Sequence, residues 1–180
     1  MEITMKQLLL LCALTTLMLS VHAEHERAVE KPVAGIRNLK VIDSMVACAG
    51  AITPETIPSI KNMGFVSIVN LRRPTEDGAR IEEETAAAKA AGLQYVHIPF
   101  NSREPDTAAV DEFLTAFTKP NMEPSFIHCA GGSRAAAMWY AKRAIVDGLD
   151  IDHALEEAQS LGLGSETLQV FMTDYIESNR

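Results

Sequence analysis

Short apolar runs typical of β-strands alternate with helix patterns along this chain, and this alternation restricts the folds that it can adopt. The strongest strand pattern, at residues 65–71, is rich in β-branched side chains. Further strand patterns lie at residues 39–42, 45–49, 93–98 and 125–128. Strands that alternate with helices predict an α/β fold with a central, mostly parallel sheet flanked by helices. Apolar residues make up 47% of the chain, a fraction that is ordinary for a globular protein.

Helix patterns fill the intervals between these strands and continue after the last one. They are expected near residues 54–63, 81–91, 107–118, 134–147, 151–161 and 166–178. Thr53, Asp106 and Ser165 stand where N-cap side chains are expected. Gly92 and Gly148 stand where glycine commonly ends a helix.

The first 23 residues have the three parts of a secretory signal peptide. Lys6 supplies the positive charge at the start, and residues 8–19 form the apolar segment. Residues 21–23 resemble a signal-peptidase site with cleavage after Ala23. An apolar run of this length is too short to cross a bilayer, which takes about 20 residues. We therefore expect an exported protein, periplasmic or secreted, with no stable membrane insertion after cleavage.

The remainder of the chain is expected to form one domain. Residues 24–35 are polar and predict a flexible lead-in, and residues 36–180 contain no linker, repeat or low-complexity stretch. The net charge is −8 and basic residues do not cluster, which argues against a nucleic-acid partner. The sequence leaves the oligomeric state open.

The residues after the strand pattern at 125–128 carry the strongest functional signal. Cys129 ends the strand, and Gly131 and Gly132 permit a tight turn before a helix begins. Backbone N–H groups of such a turn and of a helix N-terminus bind anions. The guanidinium of Arg134 can hold two oxygens of one oxyanion. The segment therefore predicts an anion-binding loop that also stabilises a cysteine thiolate.

The segment at residues 128–134, His-Cys-Ala-Gly-Gly-Ser-Arg, resembles the H-C-x-x-G-x-R loop of the phosphatase-like domain of the beta-lactamase-hydrolase-like family. The glycine, strand and Leu-Arg pair at residues 64–72, followed by Glu76, resemble an upstream motif of that family, as does the strand at residues 92–99. The resemblance covers about residues 36–165. It implies a fold like that of the dual-specificity phosphatases.

The resemblance also implies a role for each residue of the loop. Cys129 would be the nucleophile, and Arg134 would bind the equatorial oxygens of the phosphoryl group. His128 would orient the loop and favour the thiolate, or else be a core histidine bonded to backbone groups. The phosphate-binding residues would be Ala130, Gly131, Gly132, Ser133 and Arg134. Such chemistry needs positioning and charge rather than a cofactor or metal, and its partner is a phosphorylated substrate or small oxyanion.

Three features depart from the tyrosine-phosphatase pattern. Four residues separate Cys129 from Arg134 where tyrosine phosphatases have five, a short length that resembles the loop of rhodaneses. Ala135 stands where phosphatases have serine or threonine. The general acid is expected to be Asp106, or else Glu104, with a helix N-cap as the alternative for Asp106. The sequence thus predicts a phosphatase, with a sulfurtransferase or a non-catalytic oxyanion-binding module as alternatives.

Other polar residues are given structural interpretations. Arg72 and Arg73 are expected in a solvated loop, with a contribution of positive potential near the mouth of the site as the alternative. The acids at residues 82–84 are expected on a solvated face that matches the helix dipole. Cys48 is expected to be a buried small residue in the loop region before the first long helix. Only Cys48 and Cys129 remain after cleavage, which is no disulfide framework.

Overall fold

The structure, a computed structural model, describes residues 27–42 and 45–180. The predicted signal peptide and residues 24–26 of the predicted lead-in lie outside the described residues. No helix in the described part of the chain has both the length and the apolar character needed to cross a membrane.

Within the described residues, six strands form one sheet. They are β1 (Val29–Glu30), β2 (Lys40–Ile42), β3 (Val46–Ala49), β4 (Ser67–Asn70), β5 (Gln94–His97) and β6 (Ser125–His128). Their order across the sheet is β1-β2-β3-β6-β4-β5. The pairs β3–β6, β6–β4 and β4–β5 are parallel, and the pairs β1–β2 and β2–β3 are antiparallel. The expected mostly parallel sheet is confirmed.

Six α-helices connect and follow these strands within the same residues. They are α1 (Ile57–Asn62), α2 (Ile81–Ala90), α3 (Thr107–Phe117), α4 (Ser133–Ile145), α5 (Ile151–Leu161) and α6 (Glu166–Asn179). Asp106, Asp150 and Ser165 cap α3, α5 and α6 through their side chains. Thr53 precedes a short 3₁₀ helix at Pro54–Thr56 rather than α1, and its side chain forms no capping bond.

The sheet separates two apolar clusters, which explains why its strands are apolar on both sides. Val69 and Ile127 face the cluster formed with α3, α4, α5 and α6. Ile68 and Phe126 face the cluster formed with α1 and α2. Alternate residues of one strand therefore pack on opposite faces, as the two-residue period of a strand requires.

Helix α4 is the most enclosed helix of the fold. Residues 135–141 are all fully buried, and a helix that is apolar all round belongs inside a core. The indole N–H of Trp139 donates to Glu157 of α5 at 2.5 Å, and Nε of Arg143 donates to the same carboxylate at 3.0 Å. This packing fixes the helix whose N-terminus follows Cys129.

Strand β1 lies inside the segment for which a flexible lead-in was predicted. Val29 pairs with Val41 and Glu30 pairs with Lys40, so this part of the segment is an edge strand of the sheet. The sequence pattern gave no sign of it because an edge strand of two exposed residues has no apolar alternation.

Strand directions decide where a site can form. The four parallel strands all end at one edge of the sheet, and β2, which runs the other way, begins there. Ligands of open α/β sheets bind outside the carboxyl ends of the strands. Cys129 follows β6, which lies between β3 and β4.

Candidate active site

The loop that follows β6 encloses the sulfur of Cys129. The N–H of Cys129 donates to the carbonyl of Ala49 at 3.1 Å, which extends the pairing of β6 with β3. Its Sγ accepts from the N–H of Gly132 at 3.1 Å. Gly132 has a φ of 109°, a conformation that favours glycine, and it is the N-cap of α4. The turn thus directs a backbone N–H at the sulfur, as the sequence predicted.

The end of β3 supports this loop from one side. The N–H of Ala51 donates to the carbonyl of Ala130 at 3.0 Å, and Gly50 pairs with Gly131. A methyl group on Gly50 would lie 2.9 Å from the carbonyl oxygen of Ala130, so glycine is needed for this close approach. The sequence analysis missed Gly50. Its position directly after a predicted strand, at the edge of the sheet where the parallel strands end, could have indicated a role in supporting the loop.

Arg134 is held by acceptors from three parts of the chain. Its Nη1 donates to the carbonyls of Leu71 at 3.1 Å and Phe100 at 2.8 Å. Both terminal nitrogens contact Glu76, at 2.7 and 2.8 Å, in a bidentate ion pair. Burial disfavours the charged guanidinium, but the bonds to Glu76 and the nearby charge of Cys129 outweigh it, so the pKa of Arg134 is raised. The guanidinium is therefore fixed beside the cysteine.

Glu76 lies in a loop that Arg72 organises from within. The guanidinium of Arg72 donates to the carbonyls of Gly78, at 2.9 Å, and of Asp77, and its side chain is only 4% exposed. The expectation of a solvated Arg72 is wrong, because the turn of residues 73–78 wraps around this side chain. The sequence could not show that wrapping, since a polar loop looks alike whether its arginine points inward or outward.

Glu76 is strongly acidic as a result. Burial alone would raise its pKa, but the bond to Arg134, the backbone N–H of Arg73 and the positive charge of Arg72 lower it to about 2. A carboxyl with a depressed pKa stabilises the folded state above its unfolded pKa and loses that effect as the pH falls toward its folded value.

We expect Glu76→Gln to lower the free energy of unfolding by roughly 3 kcal/mol at pH 7 and by much less at pH 2, because the wild-type advantage is itself lost between about pH 4.5 and pH 2. Urea denaturation at the two pH values measures this. Glu55→Gln, which removes an exposed pair with Arg80, is the control. An equal loss at both pH values would contradict the assignment.

His128 lies beneath the loop and faces a buried carboxylate. It is fully buried, and its Nε2 lies 3.3 Å from Oε2 of Glu84, which is also fully buried. The same oxygen accepts from Asn70 and from the hydroxyl of Tyr95, each at 2.8 Å. Neither the expected backbone bonding of His128 nor the expected solvated face at Glu84 is correct.

Electrostatics of this cluster keep Glu84 ionised. Burial opposes the charge, but interaction with His128 and the hydrogen bond from Tyr95 lower the pKa of Glu84 below its usual range. Burial and the neighbouring carboxylate raise the pKa of Tyr95, so its hydroxyl remains a donor. The structure therefore places a negative charge against the imidazole that precedes Cys129. Sequence reasoning missed it because Glu84 follows two solvated glutamates on the same helix.

Asp106 and Glu104 lie in the loop that begins at Phe100, whose carbonyl contacts Arg134. Oδ1 of Asp106 accepts from the N–H of Ala109 at 3.0 Å, which confirms the N-cap. Glu104 accepts from the side chain of Asn101 at 3.3 Å. Both carboxylates are exposed. A role for either as general acid stays a prediction.

Ser133 and Cys48 have structural contacts. Oγ of Ser133 accepts from the N–H of Gly164 at 3.3 Å, which ties the start of α4 to the loop before α6. Cys48 lies within β3, in agreement with the strand pattern at residues 45–49 and not with its expected place in a loop, and it is fully buried as expected. Burial, with the nearby charge of Cys129, raises the pKa of Cys48, so it remains a thiol.

The arrangement of the loop suits an anion and a thiolate. Residues 27–42 and 45–180 contain no group of three or more His, Cys, Asp or Glu side chains that could hold a metal. The N–H groups at the start of α4 and the fixed guanidinium of Arg134 can instead stabilise negative charge beside the sulfur.

Comparison with known proteins identifies the family of this chain. The family model of the beta-lactamase hydrolase-like protein, phosphatase-like domain, matches residues 38–146. The chain belongs to this family. A beta-lactamase hydrolase-like protein from Agrobacterium fabrum is 32% identical over an alignment of 109 residues that covers 58% of this chain. The chain spans only 24% of the length of that relative.

Solved structures share the fold. A DUF442 candidate phosphatase from Shewanella putrefaciens aligns with a TM-score of 0.67 at 21% identity, over 81% of this chain and 93% of its own. Pseudomonas aeruginosa TpbA in complex with pTyr aligns with a TM-score of 0.58 at 17% identity, over 84% and 98%. The family member described here therefore has the fold of tyrosine- and dual-specificity-like phosphatases.

Proposed function

We propose that this protein is a cysteine-dependent phosphatase that hydrolyses phosphomonoesters through a phosphoryl intermediate on Cys129. The observation that carries the proposal is the loop itself, in which the N–H of Gly132 points at the sulfur and Arg134 is fixed nearby. Membership in a phosphatase-like family supports phosphate-ester hydrolysis as the reaction class.

The proposed reaction has two steps. In the first, the thiolate of Cys129 attacks phosphorus, the bond from phosphorus to the leaving-group oxygen breaks, and Asp106 gives that oxygen its proton. In the second, water attacks phosphorus, Asp106 takes a proton from the water, and the sulfur leaves as a thiolate while phosphate is released. In both steps Arg134 and the loop N–H groups stabilise the equatorial oxygens.

A tyrosine- or dual-specificity-like substrate is the finer part of the proposal. TpbA, which shares the fold, was solved in complex with pTyr. An aryl phosphate is therefore the first substrate to test. A second candidate function, sulfur transfer, is favoured by the four-residue spacing between Cys129 and Arg134.

One pair of assays distinguishes the two functions. The protein is incubated with p-nitrophenyl phosphate in one arm and with thiosulfate and cyanide in the other. Release of p-nitrophenol without formation of thiocyanate is the expected result. Thiocyanate formation without phosphate release would replace the proposal with sulfur transfer. Inactivity in both arms, combined with measurable phosphate binding, would favour a non-catalytic oxyanion-binding module.

We expect Asp106→Asn to slow hydrolysis of an alkyl phosphate by about 10²-fold or more and of an activated aryl phosphate much less, because only the poor leaving group needs the proton. Asparagine is a good N-cap, so α3 and the thermal midpoint are expected to be preserved. Glu104→Gln is the matched control. If it slows the alkyl phosphate instead, the general acid is Glu104.

A further inference from the structure

A cavity of about 240 Å3 adjoins the cysteine loop on the side of β2. Its wall includes Gly131 and Gly132 of the loop, Leu161 and Gly162 at the end of α5, and Lys40. A methyl group added to Gly131 would meet no atom within 4 Å, so the loop is open toward this space.

The cavity lies at the edge of the sheet where the parallel strands end and Cys129 follows β6. Strand β2 runs antiparallel to β3, so Lys40, its first residue, lies where β3 and β6 end. Lys40 pairs with Cys48, which pairs with Ile127, so these three side chains emerge on one face of the sheet. Cys129 follows Ile127 by two residues and belongs to the same cluster as Cys48. Two strand spacings separate Lys40 from β6, or about 10 Å.

Lys40 is available to a ligand. Its side chain lies along Gly162, where an added methyl group would meet Cδ at 3.9 Å. Its ammonium group forms no ion pair or hydrogen bond with any residue that the structure describes. The cross-strand neighbour of Lys40 is Glu30, an exposed residue at the rim of the same cavity.

Asn38 shapes the boundary between this cavity and the loop. It has a φ of 49°, a left-handed conformation that asparagine tolerates better than most residues. Its Nδ2 donates to the carbonyl of Gly131 at 3.0 Å. The side-chain amide of Asn38 therefore holds the loop at Gly131, next to the cavity wall that includes Lys40.

We propose that this cavity is a second subsite, in which Lys40 binds another anionic group of the phosphorylated substrate. The inference rests on the proposed phosphatase function and deepens it. The preferred substrate is then a phosphomonoester that also carries a carboxylate or a second phosphate. The ammonium group attracts the second anion, while Glu30 weakens that attraction from the rim.

Two ligands that differ in one charge test the proposal. N-acetylphosphotyrosine has a free carboxylate at the far end from its phosphoryl group, and its amide has none. Calorimetric titration into the Cys129→Ser protein compares their dissociation constants without turnover. We expect the carboxylate ligand to bind about fivefold more tightly, as a partly exposed ion pair permits.

Three variants made in that background sharpen the test. Lys40→Gln is expected to abolish the preference, and Glu30→Gln to increase it. Lys89→Gln, which removes the same charge from the exposed surface of α2, is expected to leave it unchanged. The subsite would be overturned if the Cys129→Ser protein bound the two ligands with equal affinity. It would also be overturned if the preference for the carboxylate ligand persisted after Lys40→Gln.

Failure of the subsite is distinguishable from failure of the proposed function. If neither ligand binds, the oxyanion loop and the subsite are both overturned. If the wild-type protein hydrolyses the amide ligand while the two affinities are equal, the phosphatase function stands and only the subsite falls. If the carboxylate preference is present but neither ligand is hydrolysed, the subsite stands and the catalytic proposal falls.

Discussion

Serine in place of Cys129 is expected to reduce kcat for p-nitrophenyl phosphate by at least about 10³-fold, because a serine hydroxyl is a far weaker nucleophile than a thiolate at neutral pH. The side chains have nearly the same shape, and the loop is held by backbone hydrogen bonds to Ala49 and Ala51. The fold and the binding of phosphate are therefore expected to survive. Steady-state kinetics and calorimetric titration with phosphate measure the two effects separately.

Cys48→Ala is the matched control for this substitution. Cys48 is the other cysteine of the described residues, it lies on the same face of the sheet, and burial keeps it a thiol. We expect its variant to retain turnover while losing some stability through the removal of buried sulfur. Wild-type turnover by the Cys129→Ser protein would refute the assignment of the nucleophile.

Lysine in place of Arg134 is expected to lower kcat/KM by about 10²–10³-fold, since it keeps the charge but loses the planar fork. In the folded protein both terminal nitrogens of that fork bond Glu76, and Nη1 also donates to the carbonyls of Leu71 and Phe100. A lysine cannot satisfy these acceptors and a phosphoryl group together. Kinetics on p-nitrophenyl phosphate and phosphate titration measure the loss.

Arg143→Lys on the same helix is the control. Arg143 bonds Asp147 and Glu157, away from the loop, so its variant is expected to change stability but not kcat/KM. If Arg134→Lys binds phosphate with wild-type affinity and the fold is intact, Arg134 serves only the ion pair with Glu76.

The order of strands and helices was predictable because local signals agree with the fold. The pattern at residues 125–128 coincides with β6, and helix α5 has the expected bounds. Strands that are buried on both faces are apolar along most of their length, so their positions can be predicted from the sequence. The order of strands in the sheet was not predictable, because pairing joins residues far apart in the chain.

The partners of polar residues were the main errors. Glu84 and Arg72 were expected in solvent, yet both are buried, one against His128 and the other within its own loop. The residues next to a charged side chain in the sequence do not show whether that side chain is solvated or buried. Only the three-dimensional fold supplies the acceptors and donors that make burial of a charge tolerable.

The sequence by itself determined the strand, turn and helix around Cys129, because an apolar strand, two glycines and a following helix pattern are local features. The tertiary structure alone decided what surrounds that loop. It brought Glu76 to Arg134, Glu84 to His128, Gly50 to Ala130, and Lys40 to the cavity beside Gly131. The physical reason is that parallel strands end at a common edge, so residues distant in the chain meet there.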